Sequence, residues 1–151
     1  MRVRRRPVRD RNPLANPIEV AAGLVFHQGR LLLTQRPPHA HLGGLWEFPG
    51  GKREAGESFE ECLRRELREE LAIEVEVGAL VDEVCHAYAE KTVRLKFFRC
   101  RWIQGGLQKI GCHAFAWVER RALDDYEFPD ADARILTELR EREDLWGGPP
   151  R

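Results

Sequence analysis

The sequence predicts an α/β (α+β) sandwich: a mixed β-sheet with helices packed on its faces. Three observations carry that expectation. Short runs of β-branched and aromatic residues recur through the chain, a strongly amphipathic helical pattern interrupts them near the middle, and a second helical pattern closes the sequence. A length of 151 residues fits one domain around one core.

In chain order, six of the first eleven residues are arginine (Arg2, Arg4, Arg5, Arg6, Arg9 and Arg11). Residues 1–17 lack apolar periodicity and read as a disordered tail, either a solvated arm or a contact for nucleic acid or an acidic surface. The tail has no serine, which argues against a mitochondrial presequence. "IEVAAGLVF" (18–26), "HQG" and "RLLLTQ" (30–35) spell strand, turn and strand, a hairpin signal. "RPPHAHLGG" is a loop punctuated by proline and glycine, "LWEF" a short strand, and "PGG" a sharp turn. After the central helix, strands are expected at 74–77, 80–86, 92–102 and 113–118, then a helix over "DADARILTELRERE" (130–143). The domain is expected to span 18–145, with residues 146–151 frayed.

Twenty-five basic and 25 acidic residues give zero net charge, so bulk charge offers no case for a polyanion partner. There is no secretory apolar region and no run of about 18 apolar residues, so a cytoplasmic chain without membrane contact is expected. Cys62, Cys85, Cys100 and Cys112 lack CxxC spacing, which argues against a structural zinc site or a disulfide framework.

The central helix, "ESFEECLRRELREELAI", starts with Ser58 as cap and Glu61 three residues on, a capping box. Phe59, Leu63, Leu67 and Leu71 form its buried stripe. At about 100° per residue, with Phe59 at zero, the stripe runs from roughly 0° to 120°. Glu66 then falls near 340°, Glu70 near 20° and Glu69 near 280°. These carboxylates repel one another and flank the core instead of opposing it, and Arg65 cannot neutralise all three. Such hard oxygen ligands suit Mg²⁺ or Mn²⁺; a salt-bridged surface helix is the alternative. Ahead of the helix, Gly50 and Gly51 let the backbone approach a phosphate or offer a carbonyl to a metal, and Lys52 can reach a phosphate.

Residues 51–73, "GKREAGESFEECLRRELREELAI", resemble the Nudix box: Gly, five residues, Glu, seven residues, then Arg-Glu-hydrophobic-any-Glu-Glu-any-Gly-hydrophobic. Gly51, Glu57, Arg65, Glu66, Leu67, Glu69, Glu70 and Ile73 match, and Ala72 stands where the family has glycine. The resemblance implies a Nudix α/β/α sandwich that hydrolyses a nucleoside diphosphate linked to another group. It implies Mg²⁺ held by Glu66, Glu69 and Glu70, perhaps with the Gly50 carbonyl, while Glu57 and Arg65 hold the helix and its ligands in place. It leaves open which glutamate activates water.

"AAGLVF", "LLLTQRP", "LWEFPGGK", "AWV" and "EFPDAD" are most similar to the MutT-like branch, which cleaves (deoxy)nucleoside triphosphates to monophosphate and pyrophosphate in nucleotide-pool sanitation. In enzymes of that branch that act on 8-oxo-dGTP, an asparagine reads the oxidised purine where this chain has Asp132, and an acidic ligand precedes the tryptophan where this chain has Ala116. An ionised aspartate only accepts hydrogen bonds, which suits an exocyclic amine such as cytosine N4. The CTP and 5-methyl-dCTP pyrophosphohydrolase branch is therefore the alternative, and a helix N-terminal charge is the plainer account of Asp132. Arg36 is a candidate phosphate contact; Trp46, Phe48 and Phe128 are candidates for base stacking or for core. His39 and His41 read as loop histidines, and Tyr88 and His86 carry no assigned role. The expected partner is a small-molecule nucleotide, the chain acting as monomer or homodimer. A binding module without catalysis is the rival from another class, and nucleic acid enters only through the tail.

Overall fold

The computed structural model describes residues 17–147. The expectations for the arginine-rich segment up to residue 16 and for residues 148–151 lie outside the described residues. Seven strands form one mixed sheet, with α1 (Phe59–Leu71) on one face and α2 (Ala133–Glu141) on the other. The strands are β1 (Ile18–His27), β2 (Arg30–Gln35), β3 (Trp46–Glu47), β4 (Gly50–Lys52), β5 (Glu74–Ala87), β6 (Thr92–Gln104) and β7 (Ala114–Glu119).

The order along the sheet is β3-β2-β1-β6-β5, with β4 paired to β1 and β7 to β2. The β1–β6 pairing is parallel and every other one is antiparallel. β1 and β2 pair only next to their turn, at Phe26 with Leu31 and His27 with Arg30. Beyond that point they splay, and the "WEFPGGK" segment fills the wedge: β3 pairs with β2, β4 pairs with β1, and the Gly23 N–H donates to the Pro49 carbonyl at 2.7 Å. The wedge delivers Glu47, Gly50 and Gly51 to the middle of the sheet.

Alternation along β1 divides the core. Ala21 and Val25 face α1, where Leu63, Leu67 and Leu71 are fully buried, and Ala22 and Leu24 face α2 with Phe97, Ile135 and Leu139. Each such leucine contributes about 1.5–3 kcal/mol by leaving water. Both bonds of the capping box form: Ser58 Oγ accepts from the Glu61 N–H at 3.0 Å, and the Glu61 carboxylate accepts from the Ser58 N–H at 3.3 Å.

Several boundaries differ from expectation. The strands expected at 74–77 and 80–86 are one strand, β5, whose register shifts between Val77 and Leu80 and again between Leu80 and Asp82. Bulges of this kind break the alternation that sequence periodicity relies on. The terminal helix is shorter than expected, with 3-10 turns at Asp130–Asp132 and Glu143–Trp146 on either side of α2. Fraying from residue 146 is corrected at its first position. Trp146 is buried, donates Nε1–H to the Leu139 carbonyl at 2.8 Å, and meets the Phe26 ring edge-on. Among the described residues no helix is long and apolar enough to cross a membrane.

Ala72 ends α1 in the left-handed region (φ 58°, ψ 33°), its N–H donating to the Arg68 and Leu67 carbonyls. An L-residue with a Cβ is strained there, whereas glycine is not. Ala72→Gly should therefore stabilise the protein by about 0.5–1 kcal/mol once glycine's larger unfolded-state entropy is included. Thermal denaturation should show a rise of about 2 °C; an unchanged or lower midpoint would mean that the strain is relieved elsewhere.

Candidate active site

Arg65 is the hub of the helix's inner end. Its Nε and Nη2 donate to the two oxygens of Glu57 at 3.0 and 2.7 Å, Nη1 donates to Glu66 at 2.9 Å and Glu69 at 3.2 Å, and Nη2 also reaches the Lys52 carbonyl at 3.1 Å. Glu57 further accepts the Glu54 N–H at 2.7 Å. The Arg65 guanidinium and that N–H hold the Glu57 carboxyl down at about 2. Arg53 adds a second brace, donating to the Glu57 carbonyl at 2.9 Å and to the Glu19 carboxylate at 2.6 Å. Glu57 and Arg65 thus occupy the bracing positions that the resemblance gave them.

A cleft of about 550 Å³ opens beside this hub, within the usual size of small-ligand sites. Glu66, Glu70 and Glu47 line it together with Arg36, Gly50, Gly51, Lys52 and Asp132. Val20, Val93, Leu95 and Phe97 from the parallel β1–β6 pair form an apolar floor, and His41, Tyr88 and Lys91 stand around it. The structure therefore brings together most of the sequence candidates, with two exceptions. Glu69 is 60% exposed, turns to Arg65 and does not line the cleft. Phe128 does not line it either: its ring stacks on Phe48 at 5.3 Å, and Phe48 is the one that faces the cleft.

The glycines have steric reasons more specific than those read from sequence. A Cβ on Gly50 would lie 1.9 Å from the Ala21 carbonyl oxygen, and one on Gly51 would lie 2.3 Å from the carboxyl carbon of Glu66. Gly50 lets the wedge pair with β1, and Gly51 leaves room for Glu66 to stand upright. Arg36 is committed within the protein, donating to Glu47 at 3.2 Å and to the His41 carbonyl at 2.7 Å.

Glu47 went unrecognised in the sequence, where it reads as the polar member of a short strand. Burial raises its carboxyl above the ordinary range, against the pull of Arg36. Burial, then the neighbouring carboxylates of Glu66 and Glu47, push Glu70 up to about 8. Asp132 is 94% buried, and burial followed by the Glu47 charge pushes it up to about 7. Its side chain makes no capping bond to α2. The plainer account, a charge stabilising a helix N-terminus, would have lowered its pKa and does not describe it.

Among the described residues no three carboxylate, histidine or cysteine side chains already converge as a cage. The donors in the cleft are nonetheless hard oxygens, from Glu66, Glu70, Glu47 and the backbone at Gly50. Their mutual repulsion is what a hard divalent cation relieves.

A mixed sheet between two helices, with a carboxylate-bearing helix and a glycine wedge meeting in one cleft, defines the class to which Nudix proteins belong. The family model of the NUDIX domain matches residues 21–138, and the chain is a member of that family. It is 37% identical over 119 residues to a CTP pyrophosphohydrolase of Escherichia coli, covering 79% of this chain and 88% of that one. It is 37% identical over 124 residues to an 8-oxo-dGTP diphosphatase of Haemophilus influenzae, covering 81% and 90%. Among solved structures it is similar to the E. coli ORF135 protein (TM-score 0.70, 35% identity, 81% of this chain and 87% of that one). It is also similar to a MutT protein from Methanosarcina mazei (TM-score 0.75, 25% identity, 87% and 98%).

Proposed function

We propose that the chain is a Mg²⁺-dependent (Mn²⁺-tolerant) pyrophosphohydrolase that converts (deoxy)nucleoside triphosphates to monophosphate and pyrophosphate, with 8-oxo-dGTP as the principal substrate in nucleotide-pool sanitation. The observation that carries this reading is the division of one cleft into a carboxylate end, at Glu66 and Glu70, and an apolar floor ending at Asp132. Glu66, Glu70 and the Gly50 carbonyl would hold the cation, with Glu69 able to join them by leaving Arg65. When bound, such an ion neutralises polyphosphate charge and lowers the pKa of the attacking water.

The chain's own residues supply the rest. Lys52 and Arg36 face the phosphates from opposite walls as fixed positive charges, and the base lies on Val20, Leu95 and Phe97. Water attacks one phosphorus of the α–β bridge, its proton passes to a glutamate oxygen, and the P–O bond to pyrophosphate breaks. Glu70, with its acidity near neutrality, has the proton affinity that a general base needs.

Asp132 sets the base preference. A neutral carboxyl donates and accepts at once, matching an edge that presents a carbonyl oxygen beside an N–H, as in 8-oxoguanine. With Asp132 near 7, that form is populated at neutral pH. The ionised form favours cytosine N4, so CTP or dCTP hydrolysis is the second reading, favoured by the same residue above neutrality.

Pyrophosphate release with Mg²⁺ across 8-oxo-dGTP, dGTP, CTP, dCTP, 5-methyl-dCTP and ATP tests both. Between pH 6 and 8.5, kcat/KM for 8-oxo-dGTP should fall relative to that for dCTP by about tenfold, one bidentate contact's worth of discrimination. Asp132→Asn should abolish the pH dependence of that ratio. A flat ratio in the unaltered protein would remove Asp132 from base reading, and silence on every nucleotide would favour a binding module without catalysis.

A further inference from the structure

We propose that the segment 105–113 is a strap that positions Glu70, with Gly111 as the positioning residue; this rests on the reading of Glu70 as part of the hydrolytic site. The strap crosses the C-terminal end of α1. The N–H groups of Ile110 and Gly111 both donate to the Glu70 carbonyl at 3.1 Å, and the Gln108 N–H donates to the Leu71 carbonyl at 3.0 Å. These are carbonyls that a helix end leaves without intrahelical partners.

Both ends of the strap are fixed. Gly105, at φ 98°, approaches so closely that a Cβ there would lie 2.4 Å from the Ala72 oxygen, and the His113 N–H donates to the Gln35 carbonyl at 2.9 Å. The strap therefore cannot drift without disturbing the helix exit or β2.

Gly111 contacts the glutamate itself. A Cβ at Gly111 would lie 2.8 Å from Glu70 Cγ, 3.1 Å from its Cβ and 3.4 Å from its Cα. The backbone of Gly111 is outside the left-handed region, so alanine is conformationally permitted and its cost falls on Glu70 alone. Either the Glu70 side chain leaves its rotamer or the strap lifts and releases the Glu70 carbonyl. Both outcomes displace the carboxylate from the cleft wall.

The test compares Gly111→Ala with Gly106→Ala, a change in the same segment where an added Cβ meets nothing within 4 Å. Gly111→Ala should lower kcat by about 100-fold, the effect of roughly 1 Å of misplacement, with KM for the nucleotide little changed. Mn²⁺ titrated into the nucleotide-free protein by calorimetry should bind about tenfold more weakly. Gly106→Ala should match the unaltered protein in both. Ile110→Pro, which deletes one N–H donor at an exposed position, gives a second reading if Gly111→Ala folds poorly. Values of kcat and Mn²⁺ Kd in Gly111→Ala within about twofold of Gly106→Ala overturn the inference. Should the unaltered protein hydrolyse no nucleotide, the hydrolase reading fails separately and the Mn²⁺ Kd alone decides the strap.

Discussion

Glu70→Gln is expected to reduce turnover by at least about 100-fold while making the metal-free protein more stable. The loss follows from the cleft: Glu70 is the carboxylate that both faces the phosphate end and holds a proton near neutrality. The gain follows from linkage. Its folded pKa of about 8 lies above the ordinary 4.5, so across that interval the folded protein retains a proton that the unfolded chain has released. The associated stability is complete below about 4.5 and is lost as pH rises through about 8. Glu47 and Asp132 are shifted in the same direction, so they add to the loss. Glutamine keeps the shape and removes the charge beside Glu66. In EDTA the melting temperature of the variant should exceed that of the unaltered protein, by more at pH 8.5 than at pH 6. Near-normal turnover, or a gap that closes with rising pH, would show that Glu70 is neither the catalytic carboxylate nor the strained one. The combination of less activity and more stability is the mark of a group kept in place for function.

The central helix was legible because its signals are local. Ser58 and Glu61 name the cap, the leucines name the buried face, and the angular positions of Glu66 and Glu70 beside that face correspond to the cleft wall they form. The same calculation put Glu69 farther round, and there it is exposed. What could not be read depends on partners distant in sequence. Nothing in "LWEF" shows that it fills a wedge between β1 and β2, so Glu47 passed as a strand residue. The parallel β1–β6 pairing joins segments about 75 residues apart and leaves no periodic trace. "GGLQKIGCH" has the composition of an ordinary loop, and only the fold lays it over Glu70. Asp132 was recognised as a base reader, but its protonation depends on burial under Pro129 and Ala131 and on the distant Glu47, so the argument from an ionised aspartate rested on the wrong charge state.

Arg65→Lys should lower kcat by about 10–100-fold, although the substitution keeps the positive charge. The guanidinium serves Glu57 with a two-pronged contact and also reaches Glu66, Glu69 and the Lys52 carbonyl, a set of directions that one planar fork satisfies. An ammonium has three donors at a single point and cannot span them. Lysine would release Glu66 first, because Glu57 retains the Glu54 N–H and the Arg53 brace on its carbonyl. Glu57→Gln should weaken the same clamp, and the double variant should lose less than the product of the two single losses because both act through one network. Acid provides an independent check. Glu57 is depressed to about 2, so the stability it contributes is present above its ordinary 4.5 and is lost only as pH falls toward 2. Activity lost between pH 8 and 5 must then come from protonating Glu70 and Asp132, with the clamp intact. Arg65→Lys should therefore lower the whole pH–activity profile without moving its acid limb. If the limb moves with the substitution, Arg65 tunes the proton affinity of the cleft directly and is more than a brace.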